Sequence, residues 1–224
     1  INEVKELLKA AELFDFDDKL GARWLTHVPL PAYQNPGPWQ SAFSQSGAIS
    51  ILLRAYQQSQ KSKYRKLAKL ALKPFQVPVK DGGVSSEAPW GICYEEYTAS
   101  VPTLVLNGHI FALFGLFDYQ RVFPNDEDCN LLIKDGLASL KNSLPYYDMG
   151  YWTRYNYCEA EFYPDIDPAT ISYHRLHIML LKVMTRLDPD PIYAEYVEKW
   201  KSYIGPYNFL KVSFMKYNAL KKMG

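Results

Sequence analysis

Apolar positions recur along this chain with a helical period, and the first clear stretch covers residues 39–59, where Phe43, Gly47, Ile49, Ile51, Leu52 and Tyr56 supply one face. Pro38 and Ser41 are suitable start signals. A shorter amphipathic helix is predicted over 62–72, basic on one side and carrying Leu67, Leu70 and Ala71 on the other, and it stops before Pro74. The same order then returns. Residues 103–119 read as a nearly all-apolar helix, and Asn125 or Asp126 caps an amphipathic one running to about Ser143. It returns again as 168–187 followed by a helix from Asp190 to about Tyr203.

Three helix pairs therefore begin near residues 40, 103 and 168, a spacing of roughly 65 that reads as a weak structural repeat. The first member of each pair is the more apolar, as expected when inner helices are walled on all sides and outer helices cover them with one wet face. The predicted fold class is all-α dominated, an α/α toroid of helix hairpins forming one domain over 1–224. The segments between pairs, 74–102 and 145–168, are long and rich in Gly, Pro and Tyr, and loops of that length in a compact domain are usually functional. Short hairpins are expected within them at 77–84 and 150–155. Both loops feed the N-terminal ends of inner helices, so their side chains should converge at one end of the toroid in a cleft, where helix dipoles favour a carboxylate.

Composition narrows the possibilities. With 224 residues and 48% hydrophobic content the chain buries a substantial core, which excludes disorder. Its 25 basic and 24 acidic residues leave a formal charge of +1, so no global field points to nucleic acid or an anionic membrane surface. Cys93, Cys129 and Cys158 lack zinc or disulfide spacing and read as reduced thiols. No apolar run reaches bilayer-spanning length, and Ile1-Asn2-Glu3-Val4-Lys5 does not open like a signal peptide. The missing initiator Met suggests a trimmed chain or a fragment.

Chemistry concentrates in the aromatic clusters. Eighteen tyrosines are enough both to fill a core and to line a groove where rings stack on a ligand. Cys93-Tyr94-Glu95-Glu96-Tyr97 precedes Val105-Leu106-Asn107-Gly108, the run from Tyr146 to Tyr157 follows, and Tyr173-His174-Arg175-Leu176-His177 opens the third apolar helix. A phenol is a poor base at its ordinary pKa of about 10, but a cation or shared hydrogen bond brings it into range for proton transfer. Adjacent Glu95 and Glu96 face opposite ways in extended backbone, so only one reaches a given tyrosine, unless both are cap and surface residues. His174 and His177, spaced i, i+3, suit a metal or a sugar. With no third ligand placed, hydrogen-bonding roles are preferred and no metal or cofactor is expected. His109, inside an apolar helix, reads as a satisfied core histidine. Asn107-Gly108 suits either an amide offered to a ligand or tight helix packing. Nucleophile elbows, reactive-cysteine contexts and phosphate-cradling loops are absent.

These residues form a pattern that resembles a known family. Tyr94-Glu95-Glu96-Tyr97 followed by Leu104-Val105-Leu106-Asn107-Gly108 is similar to the segment opening the catalytic half of the D-glucuronyl C5-epimerases. Gly136-Leu137-Ala138-Ser139-Leu140, Leu144-Pro145-Tyr146-Tyr147-Asp148-Met149-Gly150, Thr153-Arg154-Tyr155-Asn156 and Tyr173-His174-Arg175-Leu176-His177-Ile178 resemble its later motifs in the same order. Upstream, the run from Trp39 through Gln45 to Ser50 resembles its first toroid helix, and Trp200-Lys201-Ser202-Tyr203 its closing one.

The resemblance implies inversion at C5 of a hexuronic acid residue within a polysaccharide, D-glucuronate to L-iduronate in the heparan-type case. It assigns Tyr97, Tyr155 and Tyr173 to proton handling, with Glu96 beside the first. Asn107, Arg154, His174, Arg175, His177, Trp39 and Gln45 become candidate substrate-binding residues. The expected partner is a uronate-containing polysaccharide or oligosaccharide, not nucleic acid, and the family suggests a homodimer. In the family an arginine stands three positions after the middle tyrosine, where this chain has Cys158. Animal members also carry a preceding β-rich half. The chain is therefore expected to be a compact prokaryote-like form, cytoplasmic, or a fragment of a lumenal Golgi-type enzyme. A polysaccharide lyase using the same carbanion and a silent carbohydrate-binding lobe are the competing readings.

Overall fold

The computed structural model describes residues 2–223, so the two ends of the expected 1–224 domain lie outside it. Its elements run α1 (Asn2–Glu12), β1 (Asp15–Asp17), β2 (Gly21–Arg23), α2 (Ala42–Ser59), α3 (Ser62–Leu70), β3 (Ser85–Ala88), β4 (Gly91–Tyr94), α4 (Leu106–Val122), α5 (Glu127–Tyr147), α6 (Ile171–Leu187), α7 (Pro191–Ser202) and α8 (Pro206–Met223). This is an all-α fold with two small antiparallel hairpins, β1–β2 and β3–β4. None of these helices is long and apolar enough to cross a membrane.

Side-chain caps fix four of the helix starts. Ser41 Oγ accepts from Ser44 N at 3.3 Å, Asp126 Oδ1 from Cys129 N at 3.1 Å, Thr170 Oγ1 from Tyr173 N at 3.3 Å and Asp190 Oδ1 from Ile192 N at 3.1 Å. Each such cap typically stabilises its helix by about 1 kcal/mol. The starts of α2 and α4 fall three residues later than the apolar pattern predicts, because competing partners hold the preceding backbone out of the helical conformation. Trp39 exchanges two backbone hydrogen bonds with Thr26, and residues 103–105 are held by the Glu95 side chain and a neighbouring loop.

The pairs α2/α3, α4/α5 and α6/α7 stand side by side, with α4 packed between α2 and α6. Their shared interior contains Ile49, Leu52, Ile110, Leu113, Leu116, Leu140, Leu181 and Met184. The α2–α4 crossing is close enough that a Cβ on Gly115 would stand 2.6 Å from Ser46 Cα. His109 is a satisfied core residue, as its surroundings suggested: Tyr94 N–H donates to Nδ1 at 3.0 Å, which leaves the Nε2 proton for Gly136 O at 3.0 Å.

Loop expectations needed correction. Residues 77–84 form no hairpin; Pro78 has no N–H for a ladder, and its carbonyl instead accepts from Asp81 N and Gly83 N around a single turn of 3₁₀ helix. The hairpin lies just downstream, with Ser85 opposite Tyr94 and Ala88 opposite Gly91. Residues 150–155 contribute two isolated bridges, Asp148 to Thr153, turned at Gly150 with φ +78°, and Arg154 to Pro168. Beyond the predicted elements, residues 2–38 add α1 and the β1–β2 hairpin, and residues 204–223 add α8.

Candidate functional site

β4 delivers the chain to the site, and strand alternation then sends its two acids in opposite directions. Glu95 turns inward and is 1% exposed. Its Oε1 accepts from Thr103 N at 3.1 Å, and its Oε2 accepts from Thr103 Oγ1 at 2.6 Å and Leu104 N at 2.9 Å. Burial pushes this carboxyl up, and the bonds from Thr103 and Leu104 pull it back. Leu104 sits at φ +49°, a left-handed conformation unusual for a branched side chain. Its carbonyl accepts from Tyr147 Oη at 2.5 Å and Tyr157 N at 3.2 Å. Glu95 is thus a clamp on the loop that feeds α4.

Glu96 faces the other way, toward α4. Its Oε2 accepts from Asn107 Nδ2 at 2.8 Å, while Asn107 Oδ1 is buried without a partner. Neither role considered for Asn107-Gly108 is the one seen: the amide engages Glu96 instead of a ligand, and Gly108 leaves room for that side chain instead of for a neighbouring helix. A Cβ on Gly108 would stand 2.3 Å from Glu96 Cβ. Burial raises the Glu96 carboxyl, against lowering hydrogen bonds from Tyr97 and Asn107.

The third strip of the site, residues 153–170, is bound edge to edge with the loop before α4. Val105 bridges Asn156, Leu106 N donates to Tyr155 O at 3.3 Å, and Tyr155 N donates to Asp167 O at 2.8 Å. This pairing brings three tyrosines, separated by up to 76 positions, into one cluster. Tyr97 Oη lies 3.5 Å from Tyr155 Oη, and the rings of Tyr155 and Tyr173 meet edge to face with centres 4.9 Å apart. Burial and the Glu96 charge push the Tyr97 phenol up to about 12 despite a lowering bond from Tyr155. The same two causes, with Tyr97, raise Tyr155 further. At neutral pH Tyr97 and Tyr155 therefore hold their protons, and the neighbouring acid with a raised pKa is the group suited to draw one away.

Aromatic rings wall this cluster. Trp39 packs edge-on against Tyr97 at 5.4 Å, Tyr33 tilts against Tyr97 at 5.7 Å, and Tyr163 stacks on Tyr33 at 5.1 Å. Asn156 Nδ2 donates to Tyr33 Oη at 2.9 Å. Cys158 packs beside Tyr33 and Tyr163, and burial pushes its thiol up, so that position supplies an uncharged apolar group.

Of the residues singled out in the sequence, the structure brings together Glu96, Tyr97, Tyr155, Tyr173, Asn107 and Trp39. It sends the others elsewhere. Gln45 is buried in α2 and donates to Ala22 O and Ala71 O, so it joins core backbone segments. His174 and His177 are fully buried. Thr153 Oγ1 lies 3.0 and 3.1 Å from their Nδ1 atoms, His174 Nε2–H donates to Trp200 O, and the His174 ring stacks on Trp152 at 3.8 Å. Both imidazoles are pushed down by burial, to about 4 and about 3, and act as neutral struts beneath the Tyr155 loop. Arg154 bends away, donating to Asp165 O and lying over the Tyr157 ring. Arg175 is exposed on α6. Among the described residues, no group of three or more His, Cys, Asp or Glu is arranged to hold a metal.

Sequence reasoning missed Tyr33, Tyr163, Asp167 and Lys216. Tyr33 and Lys216 lie in the two unassigned ends of the chain, and no local pattern announces contacts spanning dozens of residues. Asp167 is 2% exposed, with Oδ2 accepting from Tyr163 Oη at 2.9 Å and Oδ1 from Lys216 Nζ at 2.5 Å.

The family model described as the D-glucuronyl C5-epimerase C-terminus matches residues 18–202. Over 179 residues the chain is 34% identical to a D-glucuronyl C5-epimerase of Caenorhabditis elegans, covering 75% of this chain and 29% of that protein. Over 185 residues it is 30% identical to an uncharacterized protein of Methanocaldococcus jannaschii, covering 80% of this chain and 56% of that one. The matches thus span well under two thirds of either relative.

Proposed function

Because the chain belongs to the D-glucuronyl C5-epimerase C-terminal family, we propose that it inverts C5 of a hexuronic acid residue within a polysaccharide, using tyrosines to remove and return the proton. The observation that carries this reading is the meeting of Tyr97, Tyr155 and Tyr173, with Glu96 beside the first and its charge acting on the second. Inversion needs one group on each face of the sugar ring. The C5–H bond breaks, its electron pair moves into the adjacent carboxylate as an enediolate, and a proton is returned to C5 from the opposite side. No oxidant or cofactor is required for that balance.

The side chains divide the work as follows. Glu96 accepts a proton from Tyr97, leaving a phenolate that abstracts from C5; Tyr155 Oη, 3.5 Å from Tyr97 Oη, stands on the same side and shares its proton, and Tyr173 donates from the other face. Trp39, partly exposed beside Tyr97, offers a flat face to the apolar side of a pyranose, and the buried Tyr33 backs the Tyr97 ring. The substrate is a polymer containing D-glucuronate or L-iduronate, and the full activity belongs to the protein with whatever further segments it carries.

The test is incubation with a uronate-containing oligosaccharide in deuterated water. Deuterium entering C5 with no rise in ultraviolet absorbance supports the epimerase. A new unsaturated product means a lyase, in which the same carbanion expels the C4 substituent. Binding with neither change means a carbohydrate-binding lobe.

A further inference from the structure

α8 reaches the site from beyond residue 202, outside the matched family segment. It is fastened to the Tyr155 loop by Phe209 edge-on to Trp152 at 5.9 Å and by Tyr151 Oη donating to Met215 Sδ at 2.7 Å. Lys216, on the same side of α8, makes the contact with chemical consequence. Its Nζ lies 2.5 Å from the buried Asp167 Oδ1 and 5.5 Å from the centre of the Tyr155 ring. Asp167 is the residue whose carbonyl holds Tyr155 N. A buried acid therefore anchors an ammonium group against the middle phenol, with the lysine side chain still 18% exposed. Asp167 engages one of three ammonium donors, which leaves donors for an incoming anion.

The reaction calls for a cation at this place. Taking a proton from the carbon next to a carboxylate loads further negative charge onto that carboxylate, and the barrier falls where a fixed positive group or aimed donors receive it. The phenols and Glu96 bring none, Arg154 is turned toward Asp165 and Tyr157, and Arg175 stands in solvent. We infer that Lys216 binds the carboxylate of the hexuronate ring and selects charged over neutral sugars. The inference rests on the epimerase reading of the site.

The experiment uses the whole chain, a uronate oligosaccharide and the same oligosaccharide with its carboxyl groups reduced to alcohols. Lys216→Met keeps the stem packing and removes the charge; Lys216→Arg keeps the charge. With Lys216→Met, affinity for the acidic oligosaccharide falls by about ten- to a hundred-fold, as for loss of a hydrogen bond to a charged group. Affinity for the reduced one stays unchanged, and Lys216→Arg restores most of the difference. The double variant Lys216→Met with Asp167→Asn removes both members of the ion pair, so a fold weakened only by a stranded acid recovers. It must still bind the acidic ligand weakly.

Equal effects on the two ligands in the single variant, or wild-type affinity for the acidic ligand in the double variant, would overturn the inference. The two readings fail separately. Charge-dependent binding without C5 deuteration in the wild type removes the epimerase and keeps the carboxylate contact. C5 deuteration with charge-independent binding does the reverse.

Discussion

Gly108→Ala separates the placement of Glu96 from the stability of the fold. The new Cβ would stand 2.3 Å from Glu96 Cβ and 2.7 Å from its Oε2, whereas carbon atoms in contact rest at about 3.5–4.0 Å. Glu96 must therefore retreat by more than about 1 Å. Its backbone has little freedom to do so, because the Glu95 carbonyl holds Ala42 N at 2.8 Å and the Glu95 carboxylate holds the 103–104 backbone. Overpacking of this kind costs about 1–3 kcal/mol, and alanine in a helix returns up to about 1 kcal/mol relative to glycine. The net loss is about 0–2 kcal/mol, a fall of at most several degrees in Tm at about 2–4 °C per kcal/mol. The chemistry is far more sensitive: a catalytic group displaced by 1 Å loses about a hundred-fold in rate. C5 deuteration should therefore drop by about two orders of magnitude in a protein whose melting curve moves little. Gly47→Ala is the control, because a Cβ there meets nothing within 4 Å and alanine should raise stability by about 0.5–1 kcal/mol without touching exchange. Exchange within three-fold of wild type in a folded Gly108→Ala protein would refute the role given to Glu96.

Tyr173→Phe removes one hydroxyl from a half-buried ring, so deuteration at C5 should vanish while the denaturant midpoint stays put; unaltered turnover would remove Tyr173 from the reaction. Gly115→Ala drives a methyl group into the Ser46 backbone at the α2–α4 crossing and should cost more than about 3 kcal/mol, read as a large loss of midpoint or of soluble protein. Acid should weaken the fold through His109, His174 and His177, whose folded pKa values of about 4, 4 and 3 lie below the ordinary 6.5. Their contribution is complete above pH 6.5 and is lost as the unfolded chain takes up protons below it. At pH 5 each imidazole costs up to about 2 kcal/mol. Urea midpoints that do not fall between pH 7.5 and 5 would show that these rings are not neutral struts.

The helix pairs were legible because each inner helix is apolar over four or more turns and each outer helix repeats one wet face. Their starts were less so: side-chain caps at Asp126, Thr170 and Asp190 can be read locally, but the competition that delays α4 to Leu106 comes from Glu95 and from a loop fifty residues away. Alternation of Glu95 and Glu96 told that the two acids part company. Burial decided their tasks, and no short pattern carries burial. The same gap explains His174 and His177, whose i, i+3 spacing suits a ligand and a core equally well until Trp152 and Trp200 are in place around them. Lys216 lies 61 positions beyond Tyr155 and past the last recognisable motif, so only the folded chain could bring it forward.

The left-handed Leu104 is a spring held under tension. A branched side chain in that conformation stores about 1–3 kcal/mol, and the latch consists of one hidden carboxylate together with the Tyr147 hydroxyl. Disturb the latch and the turn relaxes, carrying Asn107 and Glu96 out of alignment while the helices behind them stay assembled. Warming or mild denaturant should therefore silence the protein well before it melts.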